Sequence, residues 1–60
     1  MAHEPISGMV KRTTPLAVLV DNAGYEVWVP RSVCEDGAAL QEGDDDIRVE
    51  RWFIEKEGLA

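Results

Sequence analysis

The stretch that decides the fold is Tyr25-Glu26-Val27-Trp28-Val29-Pro30-Arg31-Ser32. Side chains alternate between the two faces of a strand, so Tyr25, Val27 and Val29 share one face while Glu26 and Trp28 share the other. Glu26 favours water, which assigns Tyr25, Val27 and Val29 to the core. Trp28 then covers the second face or lies in a groove at its rim. Pro30 has no N–H to donate and ends the strand or places it at an edge. Ser32 suits a turn or a short helix cap.

Just upstream, Leu16-Ala17-Val18-Leu19-Val20 is apolar on both faces, the pattern of a strand covered on both sides. Asp21-Asn22-Ala23-Gly24 links the two runs as a four-residue turn, so residues 16–30 form a β-hairpin. Further along, Asp46-Ile47-Arg48-Val49-Glu50 alternates again, with Ile47 and Val49 toward the core. Arg51 to Glu57 changes period and predicts a short helix closed by Gly58 as its left-handed cap, with Leu59 folding back. A helix this short depends on packing, and one of the consecutive Trp52, Phe53 and Ile54 must be left partly exposed. Residues 31–36 suit either a strand or a helical turn. Ala38-Ala39-Leu40 is expected as a third short strand, and residues 41–45 as a loop. Residues 1–14, broken by Pro5 and Gly8, are expected as a flexible N-terminal arm. Residues 15–60 then make one small domain. The expected class is α+β, mainly β: a curled antiparallel sheet of three to four strands with one C-terminal helix.

At 60 residues the chain buries only about 60% of its unfolded surface, and its stability is marginal. The single cysteine, Cys34, excludes an internal disulfide and reads as a small buried hydrophobe or a reduced surface thiol. One Cys and one His cannot complete a structural zinc site. No apolar run reaches the roughly 18 residues of a membrane span, and the N-terminus lacks the apolar block of a secretory signal. A cytoplasmic protein is expected.

The formal net charge is −6 at pH 7. Residues 1–14 carry Lys11, Arg12 and Glu4, a sum of +1, which leaves −7 on the rest. Glu35, Asp36, Glu42, Asp44, Asp45 and Asp46 fall in one segment with no Lys or Arg among them. Such a field repels phosphates and argues against direct nucleic-acid binding; it favours a basic protein surface. Asp44-Asp45-Asp46 lacks the alternating ligands and terminal Glu of a calcium loop, so no metal is assigned. Nucleophile–base pairs, phosphate loops and ligand clusters are missing from the sequence, and neither enzyme activity nor a cofactor is expected. The acidic segment reads as a solvated loop or as a mimic of nucleic-acid charge. In the second case its carboxylates meet a Lys/Arg-lined channel, and Trp28 and Trp52 are the accompanying candidate contacts.

Val27-Trp28-Val29-Pro30-Arg31-Ser32 together with Val49-Glu50-Arg51-Trp52-Phe53-Ile54-Glu55-Lys56-Glu57-Gly58-Leu59 resembles a family of small phage and prophage proteins. Its members pair a Trp-x-Pro-Lys/Arg-Ser strand end with a Trp-x-x-Glu-x-x-Gly-Leu helix. The likeness covers roughly the last 45 residues, and Glu50 stands where the family helix usually begins with Pro. It implies an accessory role in phage replication or recombination, exercised through exposed aromatics. By size and charge the chain is also similar to anti-CRISPR proteins. That implies a monomeric inhibitor which occupies the DNA-binding surface of a CRISPR effector.

Overall fold

A computed structural model describes residues 2–60. Five strands form two antiparallel sheets: β1 (His3–Ile6), β2 (Met9–Thr13), β3 (Ala17–Asn22), β4 (Tyr25–Pro30) and β5 (Ile47–Glu50). One helix, α1 (Arg51–Glu57), follows β5 directly. The first sheet pairs β1 with β5; the second runs β2-β3-β4. The class is the expected α+β, with strands dominating and the sheets not closed.

The expected hairpin is β3 and β4, with Val18, Leu19, Val20 and Val29 buried. Its loop is tighter than the four residues expected. Asp21 pairs with Glu26 and Asn22 with Tyr25, leaving only Ala23-Gly24 as the turn. Both have positive φ, 52° and 90°, which is the requirement of a type I′ turn matched to strand twist. Two further expectations fail at the hairpin ends. Tyr25 is 80% exposed and Leu16 82%: Tyr25 is the first residue of β4, beside the turn, and Leu16 lies in the bend before β3. Trp28 is 49% exposed, on the face opposite Val29.

Within residues 1–14, expected as a flexible arm, His3–Ile6 and Met9–Thr13 are instead β1 and β2, while Met1 lies outside the described residues. The strands exist because each finds a partner distant in sequence: Ile6 pairs with Ile47 and Val10 with Val20. Pro5 is tolerated because β1 is paired on one side only. Gly8 makes the corner between the two strands. A Cβ there would lie 2.0 Å from the Asp21 carbonyl oxygen, so no other residue lets the corner rest on β3. Ala38-Ala39-Leu40 is not a strand. Gly37–Ala39 is a 3-10 turn, as is Arg31–Val33, and residue 34 adds a single bridge to Val49.

One core draws on all five strands and the helix: Ile6, Val10, Val18, Val20, Val29, Val33, Cys34, Leu40, Ile47, Val49 and Phe53 pack in a single cluster. In α1, Phe53 is buried and Trp52 is the exposed member of the apolar triplet, at 44%. Its ring meets Phe53 edge-on with centroids 5.7 Å apart. Gly58 has φ 68°, and the Leu59 N–H donates to the Ile54 carbonyl at 3.0 Å. The helix ends as its sequence predicts.

Two polar clamps join the pieces, a buried one at Asn22 and a half-buried one at Arg31. Asn22 donates to the carbonyls of Ser7 (2.7 Å) and Ala60 (3.2 Å) and accepts from the Ala60 N–H (2.9 Å). Arg31 donates to the carbonyls of Thr14, Gly37 and Leu40 at 2.9, 2.6 and 3.2 Å. It thereby holds the β2–β3 turn against the second 3-10 turn.

Candidate binding surfaces

The six acids of residues 35–46 do not form one row. Glu35 follows the bridge residue Cys34, and its N–H donates to the Arg48 carbonyl at 2.9 Å. This places Glu35 and Asp36 beside Asp46, and the three line a shallow depression with Arg48. Arg48 is the only cation there, 3.5 Å from the Asp46 carboxylate in an exposed pair. Such a pair contributes little energy, because solvent screens it. Pairing of Pro5 with Arg48 and His3 with Glu50 sets Glu50 on the same outward face of β5.

The remaining acids go elsewhere. Asp44 is half-buried, and its carboxylate accepts the Gln41 N–H at 2.8 Å, closing the loop on itself. The loop is also stitched to β2. The Val10 N–H donates to the Asp44 carbonyl, and the Gly43 N–H donates to the Val10 carbonyl, both at 2.8 Å. Val10 sits opposite Val20 on this edge strand with its backbone groups facing outward, and a register shift follows between Val10 and Arg12. Glu42 faces Lys11 and Arg12 across a second depression. Asp45 is exposed. Adjacency in sequence therefore separates these carboxylates as often as it gathers them.

Trp28 stands on the outer face of the second sheet. The register aligns Arg12, Leu19 and Trp28 across three strands, and all three line the depression that Glu42 borders. At its edge Lys11 donates to Glu26 at 2.8 Å. That bond raises the Lys11 pKa and lowers that of Glu26, through the hydrogen bond first and charge attraction second. Trp52 lies apart, with Ala2, Arg51 and Glu55 around a different depression. Arg51 also bonds Glu4, which raises its pKa by the same two causes. The two tryptophans are therefore separate surfaces.

Cys34 is buried, and desolvation pushes its thiol up, with Arg31 opposing more weakly. Its Sγ donates to the Pro30 carbonyl at 3.5 Å. Among the described residues no group of three or more His, Cys, Asp or Glu is placed to hold a metal ion. No helix among them is long and apolar enough to cross a membrane.

A further surface was not legible from sequence. Tyr25 and Val27 of β4 border a notch with Glu57, Gly58 and Leu59 of the helix end. It forms where the chain beyond α1 returns to the hairpin, tied there by the Asn22–Ala60 hydrogen bonds. Its one sequence signal is the Gly-Leu that turns the chain back. No family model, curated protein or solved structure matches the chain.

Proposed function

We propose that the chain is a non-catalytic binding module. In this reading it is a phage-type inhibitor in the cytoplasm of the infected host cell. It docks as a monomer on the basic, nucleic-acid-binding surface of a host protein, a CRISPR effector subunit being the favoured class. The observation that carries this is the meeting of Glu35, Asp36 and Asp46 around one depression, against the single cation Arg48. A nucleic-acid channel is lined with Lys and Arg, and fixed carboxylates on a rigid edge compete for it without the phosphates. Glu35 and Asp36 are exposed, so reversing them removes no core contact, although Asp36 has φ 52° and Lys there costs about 1 kcal/mol of backbone preference.

The test is a competition assay in which the module displaces DNA from the effector. Glu35→Lys with Asp36→Lys should weaken inhibition by about 100-fold, with a steep salt dependence in the parent protein. Inhibition that survives the double reversal overturns the reading. A second reading is favoured by the half-exposed Trp28 beside Leu19 and Arg12. There the module is a replication or recombination accessory anchored by that aromatic. Trp28→Ala then costs more than charge reversal, and salt has little effect.

A further inference from the structure

We propose that the free edge of β4 receives an extended, basic segment of the partner protein as an added strand. One Lys or Arg side chain of that segment lies in the notch between Tyr25, Val27, Leu59 and Glu57. This rests on the basic partner proposed above and adds the mode of docking.

The edge follows from the hairpin's parity. With a two-residue turn, Asn22 and Tyr25 are a hydrogen-bonded pair, and bonded pairs then alternate along the ladder. Val20 with Val27 and Val18 with Val29 are the next two by register. The Arg31 N–H donates to the Leu16 carbonyl at 2.9 Å, one step further in the same alternation. Glu26 and Trp28 are the intervening residues. Their N–H and C=O groups therefore point away from β3, and β4 is the last strand of its sheet. Both residues are exposed. No backbone bond to either from outside the strands is present among the described residues. At Pro30 the N–H is missing, and its carbonyl is taken by Cys34. Two donors and two acceptors are left at strand spacing, a template for strand addition. The opposite edge of this sheet differs, because Gly43 and Asp44 close it at Val10.

Charge and shape select the occupant. A strand laid on β4 places alternate side chains on the side of Tyr25 and Val27. There it meets a floor of Val27 and Leu59, the Tyr25 ring and the Glu57 carboxylate, with no Lys or Arg lining the notch. Glu57 makes no ion pair among the described residues. The carbonyl end of α1 adds partial negative charge at the same place. A Lys or Arg stem lies along the two aliphatic residues, and its head reaches Glu57 and the face of Tyr25. On the other face, Trp28 accepts an apolar side chain from the added strand.

The probe is an acetylated, amidated peptide of alternating Val and Lys, titrated into the isotope-labelled full chain. The expected result is slowed amide exchange at Glu26 and Trp28. Glu57→Gln and Tyr25→Ala should each weaken binding by about five- to tenfold. A peptide N-methylated at alternate backbone positions should bind at least about tenfold more weakly, since it forfeits ladder bonds. Glu35→Lys with Asp36→Lys should leave peptide affinity nearly unchanged. Three outcomes overturn the proposal: absence of exchange protection at millimolar peptide, protection confined to other elements, or protection of Glu26 and Trp28 that grows with protein concentration alone. The last would assign the edge to a second copy. If the peptide fails while the double reversal still abolishes inhibition, only the docking mode falls. If the peptide binds and inhibition ignores Glu35 and Asp36, only the carboxylate reading falls.

Discussion

The two sheets are held together in opposite ways. In the β3–β4 hairpin, paired residues lie close in sequence around Ala23-Gly24. In the β1–β5 pair they lie between 41 (Ile6 to Ile47) and 47 (His3 to Glu50) positions apart. Closing a long loop costs entropy that a local turn does not incur. The distant pair therefore depends on burial and on side-chain clamps. Ile47 and Val49 are fully buried, and Asn22, only 3% exposed, reaches from the hairpin to Ser7 and Ala60. The hairpin brings its own turn chemistry. The lesson is that one local unit organises a non-local one through a single amide and a shared core.

Substitutions can break this comparison. Ile47→Ala removes a fully buried side chain from the distant pair. It should cost about 2–5 kcal/mol, enough to unfold a domain of this size, as chemical denaturation would show. A loss under 1 kcal/mol would mean that β5 does not hold the core. Asn22→Ala should cost about 1–3 kcal/mol, because it leaves the Ser7 and Ala60 groups without their partner. Hydrogen exchange should accelerate in β1 more than in β3 and β4. Uniform acceleration would mean that the two sheets open as one unit.

Other changes sharpen it. Ala23 occupies a left-handed position that favours Asn or Gly. Ala23→Asn should stabilise the chain by about 0.5–1 kcal/mol, read as a higher thermal midpoint, while leaving β1 exchange relative to β4 unchanged. The smallest effect concerns Cys34, the bridge to β5. Burial raises its pKa in the folded state, so its contribution is complete below the ordinary thiol value of about 8.5. It is lost as pH rises through the folded value. Stability should decline on the alkaline side, and Cys34→Ala should flatten that decline. An identical pH profile in the variant would remove the thiol from the account.

Much of the fold was legible locally. Alternation in Asp46 to Glu50, the period change at Arg51 and the Gly58-Leu59 cap all express preferences of neighbouring residues. His3 to Thr13 was illegible because Pro5 and Gly8 read as breakers. Each is in fact accommodated by its surroundings, Pro5 on an edge strand and Gly8 against the Asp21 carbonyl. The carboxylates were legible as charge and not as a surface. Asp44 turns to its own loop, Glu42 crosses to Lys11 and Arg12, and only Glu35, Asp36 and Asp46 meet.

By itself the amino-acid order determined the β3–β4 hairpin, the closing helix and an excess of negative charge, since these follow from pleat, turn and titration preferences of adjacent residues. Only the tertiary structure decided that β1 lies on β5, that β4 keeps a free edge and that a notch opens beside Leu59. Those outcomes depend on which distant backbone groups and apolar faces find each other, and no short-range preference encodes that choice.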